Sequence, residues 1–379
     1  MSPNTQTLPN TDYASQYENG TNNDISRSNN EYAEYDYCRA MIDDAYRKEG
    51  VFADNPEKAA DWDVVRGRLS DNLAKEAEKM SSYAAEQEQV FRNCEQEYYR
   101  IMDSNLPQEE KNRLLADVTE RASHSRELQE NYGNMAKQAQ ELSNYYGQNL
   151  EAGKRTTYVG VGGGDQMESL RPLIQRQGLE VPDFHGTCGD CSCANAMTLL
   201  GDPKTEGAVV ARAREIGECH DEPIDTPAIR AMERLPFGGA QKAEAMRAEI
   251  RAKNGGTSVV NREKILDSFG YDCSSMNNQT LDDVANHIRN GEAVVYNLDS
   301  HVLKEGQPGS DLSMSLRSTN HAVTLTGVET DAQGNAIGAW LRDTGNWSQQ
   351  GADIYVNAED FRKLGLTRGC SVQYIKRRG

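Results

Sequence analysis

The sequence predicts an α+β protein in two parts: an antiparallel helical hairpin at the N-terminus, then a domain in which a helical layer packs on an antiparallel sheet. Three observations predict it. Apolar residues recur at steps of three and four between Trp62 and Tyr146; a glycine-bearing stretch at 150–164 interrupts the chain; and beyond it, helix-period segments give way near residue 293 to strand patterns.

Residues 1–30 are rich in Asn, Thr, Ser and Tyr without period and read as a disordered tail. A short helix is expected near 31–48. From Trp62 the positions Val65, Leu69, Leu73, Ala77, Met80, Ala84, Phe91, Cys94, Tyr98 and Ile101 form one apolar stripe on a background of Ala, Glu, Lys and Gln, which favours a long helix. Ser104-Asn105-Leu106-Pro107 ends it, and Pro107 with Glu109 and Glu110 suits a new first turn. A second stripe follows in Leu115, Val118, Ala122, Leu128, Tyr132, Met135, Ala139, Leu142 and Tyr146. Long helices joined by a short connection pack antiparallel, so residues 31–149 read as one hairpin module, for dimerisation or for targeting.

Residues 150–164 read as a glycine-rich linker. Its Gly-Val-Gly-Gly-Gly imitates a phosphate loop, but such a loop needs a βαβ setting and a downstream acid, so no nucleotide site is expected. In residues 165–379, helices are expected at 165–177, 190–200, 205–217, 226–234, 240–253, 261–268 and 281–290, and strands at Ala293–Leu298, His321–Val328, Ala336–Asp343, Ile354–Val356 and Val372–Ile375.

Lys and Arg number 41 against 59 Asp and Glu, a net charge of -18, which opposes the grip on phosphates that nucleic-acid binding requires. No run of 18 apolar residues occurs, so no membrane span is expected. The opening MSPNTQTLPNTDYASQ lacks the basic and apolar regions of a cleaved secretory signal, so the expectation is synthesis in the cytoplasm and export, where it occurs, by another route. Eight cysteines are too few for a disulfide scaffold, yet three crowd together at Cys188, Cys191 and Cys193.

That cluster lies in His185-Gly186-Thr187-Cys188-Gly189-Asp190-Cys191-Ser192-Cys193-Ala194-Asn195, which runs into the apolar helix Ala196–Leu200. A cysteine after a glycine turn and at a helix start sits in the positive end of the dipole, where the thiolate is favoured. His321 enters an alternating strand 133 residues after Cys188, within papain-like Cys-to-His spacing. Asp343 ends the next strand, where an antiparallel partner brings its carboxylate towards His321. Cys, His and Asp in this order suggest a nucleophile, its base and the acid that orients the base.

The segments HGTCGDCSCANAMTLLG and NHAVTLTGVETDAQGNAIGAWLRDTGNW resemble the papain-like cysteine peptidase superfamily, closest to C39-like peptidases and the papain-fold toxin domains of bacterial polymorphic toxins, over residues 165–379. The family's Gly-x-Cys-Gly, with Ser four and Asn seven residues beyond the cysteine, falls on Gly186, Cys188, Gly189, Ser192 and Asn195. The resemblance implies Cys188 as nucleophile, His321 as general base and Asp343 as its orienting acid, with no cofactor and no metal. Papain's own Gly-x-Cys-Gly-x-Cys also fits; it makes Cys191 the nucleophile and puts His185 in the place of the oxyanion-hole glutamine. With Cys188 as nucleophile that place holds Pro182, leaving only a backbone N–H as oxyanion donor.

The implied activity is hydrolysis of an amide bond in a protein or peptide, in a bacterial protein of the exported effector or toxin kind. A glutamine deamidase or acyltransferase of the same fold uses the same triad. The hairpin resembles in shape the helical leaders of type VII secretion substrates, which implies a secretion-system or immunity-protein partner for the N-terminal helices. A non-enzymatic alternative takes Cys188, Cys191, Cys219 and His220 as four zinc ligands. Residues 300–319, polar and bearing Gly and Pro, are expected as a lid leading into His321, with His301 on its rim.

Overall fold

The computed structural model describes residues 34–46, 48–50, 52, 58–148, 150, 156–163, 180–184, 186–219, 226–299, 320–344, 353–365 and 371–379. The chain divides into two compact units, Met1–Ala45 with Arg68–Gln148, and Tyr46–Gly67 with Asn149–Gly379. The expected tail, the helix 165–177 and the lid 300–319 lie outside the described residues.

The first unit is helical. It contains α1 (34–46), α2 (Ala59–Asp103), whose first turns are counted with the second unit, and α3 (Gln108–Gly147). The apolar stripes make α2 and α3 an antiparallel pair. At one end Cys94 and Ile101 pack on Val118; midway Ser125 Oγ donates to the Gln87 carbonyl at 2.6 Å; at the other end Ser70 and Ser143 each donate a hydroxyl to the other's carbonyl at 2.8 Å. Small serines at these crossings let two helices approach while satisfying their own hydroxyls. Tyr132 of α3 meets Tyr83 of α2 and Tyr35 of α1, with ring centroids 5.7 and 6.1 Å apart, which ties the third helix in. No helix among the described residues is long and apolar enough to cross a membrane.

The second unit is α+β and carries a seven-stranded sheet. Its strands are β1 (Thr157–Val159), β2 (Tyr271–Asn277), β3 (Ala293–Asp299), β4 (Asn320–Thr330), β5 (Ala336–Arg342), β6 (Asp353–Asn357) and β7 (Ser371–Arg377). Their order is β2-β7-β3-β4-β5-β6, with β1 paired to the far end of β4, and every pairing is antiparallel. The helices are α4 (Cys188–Leu199), α5 (Glu206–Glu215), α6 (Pro227–Glu233), α7 (Gly239–Lys253), α8 (Val259–Ser268), α9 (Leu281–Arg289) and α10 (Ala358–Gly365).

Alternation along the strands sorts the helices to two faces. Val294, Tyr296 and Leu298 of β3, with Val323, Val372 and Tyr374, pack against α9 and α10. Ala293 and Val295, with Ala322 and Ile375, pack against α4, α5 and α8. Helices therefore cover both faces, where a single helical layer was expected. This explains why β3 reads as a nearly continuous apolar run: neither of its faces meets water.

Two strands differ from expectation. β2 has only Tyr271 buried at its start, because this edge strand of sequence Tyr-Asp-Cys-Ser-Ser-Met-Asn leaves its later side chains largely exposed and shows no apolar alternation. β1 is three residues long and lies within the glycine-bearing stretch 150–164. There Tyr158 lies over Gly327, where an added Cβ would come within 2.3 Å of the ring. That glycine sits at a register shift in the β4–β5 ladder, as a close approach of a ring to backbone requires.

Candidate active site

The turn before Cys188 begins with Gly186, whose φ of +79° is open to glycine and costly for a side chain. Thr187 then leads into α4, and its carbonyl accepts the Cys191 N–H at 2.9 Å. Cys188 is thus the first helical residue. Its own N–H and those of Gly189 and Asp190 lie outside the helical ladder, at the positive end of the dipole.

α4 is fixed to the histidine strand by a reciprocal pair. Ser192 Oγ donates to the Ala322 carbonyl at 3.0 Å, and Thr324 Oγ1 donates to the Ser192 carbonyl at 3.3 Å. Ser192 is one turn beyond Cys188 and Ala322 follows His321, so this lock sets thiol against imidazole. The pairing of Thr324 with Arg342 places Asp343, the first residue past β5, near the start of β4. Asp343 Oδ1 lies 2.7 Å from His321 Nε2, and the His321 and Asp343 side chains are only 13% and 10% exposed. Cys188 lies close enough to His321 for the two side chains to shift each other's protonation, and with Nε2 engaged by Asp343 the ring nitrogen left to face the thiol is Nδ1.

Burial is the largest influence on both partners and opposes charge on each. It is outweighed. The His321 hydrogen bond and charge, the Ala322 backbone N–H and the Arg262 guanidinium hold the Cys188 thiol below its ordinary value. The charge and hydrogen bond of Asp343, with those of Cys188, hold the His321 imidazolium up to about 10. The two shifts run in the directions by which a thiolate and an imidazolium stabilise each other.

Cys191 sits differently. It is fully buried, and burial first, then the charges of Glu206, Cys188 and Asp190, push its thiol well above the ordinary value. Cys193, likewise fully buried, is pushed up for the same leading reason. His185 and His220 lie outside the described residues. Among the described residues no group of three or more His, Cys, Asp and Glu is placed to hold a metal ion.

Beneath the helix start lies a cation the motif did not reveal. Arg262 of α8 is 3% exposed. Its Nε donates to Gln373 Oε1 and its Nη1 to the Thr257 carbonyl, each at 2.7 Å, while Nη2 donates to Asn297 Oδ1. A Cβ on Gly189 would lie 2.1 Å from Thr257 Oγ1 and 2.8 Å from Arg262 Nη1, so Thr257 and the guanidinium leave no room for a side chain next to Cys188. The sequence does hold a signal: Arg262 falls on one stripe with Ile265, Leu266 and Phe269, a charge on a core-facing helix side, and Gln373 sits among the apolar residues of β7. Asp190, in the same first turn, is fully buried; burial raises its carboxyl well above the ordinary range, and its oxygens accept no bond from another described residue.

No protein-family model matches the chain, and no curated protein matches it at a significant level.

Proposed function

We propose that the second unit is a papain-like cysteine hydrolase acting on amide bonds in proteins or peptides, with Cys188 as nucleophile, His321 as general base and acid, and Asp343 as the acid that orients His321. The observation that carries this reading is the 2.7 Å bond from His321 to Asp343 on a histidine coupled to Cys188, with the thiol held low and the imidazolium high. A basic partner alone would serve a structural histidine; a depressed thiol at a helix start, with that histidine between it and a carboxylate, is the arrangement nucleophilic catalysis needs.

In this mechanism the Cys188 thiolate attacks the carbonyl carbon, and the Cys188 N–H at the open helix end faces the developing oxyanion. His321 gives its proton to the leaving nitrogen as the thioester forms. It then takes a proton from water, whose oxygen attacks the thioester and releases the carboxylic acid and the Cys188 thiolate, restoring the ion pair. Asp343 holds the ring in the orientation that serves both steps.

The peptide bond is the proposed substrate, and the side-chain amide of glutamine is the second reading of the same triad. Incubation of the full chain with peptide mixtures separates them: new amino termini mark a peptidase, while ammonia release with a mass gain of about 1 Da on glutamine marks a deamidase. Mass mapping after reaction with an acyl-type electrophile tests both. The label is expected on Cys188 and absent in Cys188→Ala; a label confined to another cysteine overturns the assignment.

A further inference from the structure

Cys188 and Cys191 stand three residues apart in the first turn of α4, and both are free thiols. One is partly exposed beside His321; the other is enclosed. Residues at i and i+3 share a helix face with Cβ atoms about 5–6 Å apart, a little beyond what a disulfide spans. A disulfide between them therefore requires the helix start to tighten, and the Cys188 N–H there takes no part in the helical ladder. Catalysis by Cys188 and His321 leaves Cys191 without a task.

We infer that Cys188 and Cys191 form a peroxide-responsive dithiol, in which the buried Cys191 captures an oxidised Cys188 and returns it, on reduction, as the active nucleophile. The inference rests on Cys188 being the reactive thiol of the proposed hydrolase. The same features that suit that thiolate to a carbonyl suit it to a hydroperoxide. Its sulfur attacks the O–O bond; an S–O bond forms, the O–O bond breaks, and the departing hydroxide takes the His321 proton as water, leaving a sulfenic acid. The Cys191 sulfur then attacks the Cys188 sulfur. An S–S bond forms, the S–O bond breaks, and the hydroxyl leaves with the Cys191 proton as a second water. The two thiols lose two electrons and the peroxide is reduced by two.

The buried position of Cys191 fits the part of a resolving thiol. Enclosed in the helix turn, it meets solvent oxidant poorly yet lies one turn from the Cys188 sulfur.

The test treats the reduced full chain with hydrogen peroxide, then maps thiols by mass and measures labelling of Cys188 by the electrophile. In the wild type a mass loss of about 2 Da in the peptide carrying both cysteines is expected, with labelling lost and then restored by dithiothreitol. In Cys191→Ala and Cys191→Ser, labelling before peroxide should persist, while peroxide should drive Cys188 to sulfinic and sulfonic acids that dithiothreitol does not reverse. The idea is overturned if the wild type loses labelling as irreversibly as the variants, or if the disulfide joins Cys188 to a different cysteine. Failure of the hydrolase reading has another signature: untreated Cys188 would not label at all.

Discussion

Ser192 Oγ donates to the Ala322 carbonyl at 3.0 Å across the interface between α4 and β4, and the Thr324 hydroxyl returns a bond to Ser192 at 3.3 Å. Both groups are buried, so the pair fixes the height of the helix against the strand. Ser192→Ala removes a donor and leaves a buried carbonyl short of a partner, at a cost of about 1–2 kcal/mol. Chemical denaturation should show a lower midpoint with an unchanged slope. Labelling of Cys188 should slow as well, because the thiol is positioned through this contact; unaltered labelling at reduced stability would assign Ser192 to packing alone.

The coupled charges of Cys188 and His321 set a pH window. His321, held up to about 10 against an ordinary 6.5, contributes stability that is fully present below pH 6.5 and lost as pH rises through about 10. Cys188 runs the opposite way: its folded value lies below the ordinary 9.0, so its contribution is present above pH 9.0 and lost as pH falls through the folded value. Alkylation of Cys188 should therefore begin below the pH at which a free thiol reacts. In His321→Ala the burial of Cys188 is unopposed by its main partner, and the alkylation midpoint should move above 9.0. A midpoint unchanged by that substitution would break the proposed ion pair.

Asp343→Asn keeps the shape of the orienting group and removes its charge. The His321 value should drop from about 10 towards 6.5, because the Asp343 charge and hydrogen bond are the largest of the influences, Cys188 supplying the rest, that hold it up against burial. NMR titration of the His321 ring reads this directly. Turnover should fall by ~10²–10⁴-fold, less than in His321→Ala, since the base itself survives.

Legibility in the sequence followed periodicity and chemistry. The stripes from Trp62 to Tyr146 gave both long helices because each must present one apolar side to the other, and Pro107 marked the new start. His321 and Asp343 could be placed close together because strands joined by a short turn pair antiparallel. β2 was hidden, since an edge strand with most of its side chains exposed carries no apolar alternation. The second helical face was hidden as well: a buried run such as Ala293–Leu298 reads alike whether one or two layers enclose it. Arg262 went unread because its partners, Thr257, Asn297 and Gln373, come from separate segments that only the folded sheet assembles.

Gly189 is where that assembly admits no side chain. A methyl group there would meet Thr257 Oγ1 at 2.1 Å and Arg262 Nη1 at 2.8 Å, and Arg262 is held on three sides and cannot swing away. Gly189→Ala should cost about 1–3 kcal/mol by overpacking. Thermal denaturation reads that loss. Gly201→Ala is the comparison, since an added Cβ there meets nothing within 4 Å and only the φ of +79° opposes it. If the two cost the same, the pressure of Arg262 on the helix start is not felt.

Arg262 itself provides the test of how Cys188 is charged. Its guanidinium is buried and bonded to Gln373, Thr257 and Asn297, all neutral acceptors, so its charge is not cancelled by the groups that bind it. It is one of the influences that lower Cys188. Arg262→Met removes charge and donors together, and each acceptor left buried without a donor costs about 1–3 kcal/mol, so a marked loss of stability is expected. Arg262→Lys separates the two effects. A lysine keeps the charge but lacks the planar fork, so it should lose stability through the unfilled acceptors while leaving the Cys188 alkylation midpoint close to that of the wild type. In Arg262→Met, measured under conditions where the chain is still folded, the midpoint should move up. Equal midpoints in the two variants, both displaced, would mean that Arg262 acts on Cys188 by holding the helix in place and not by its charge.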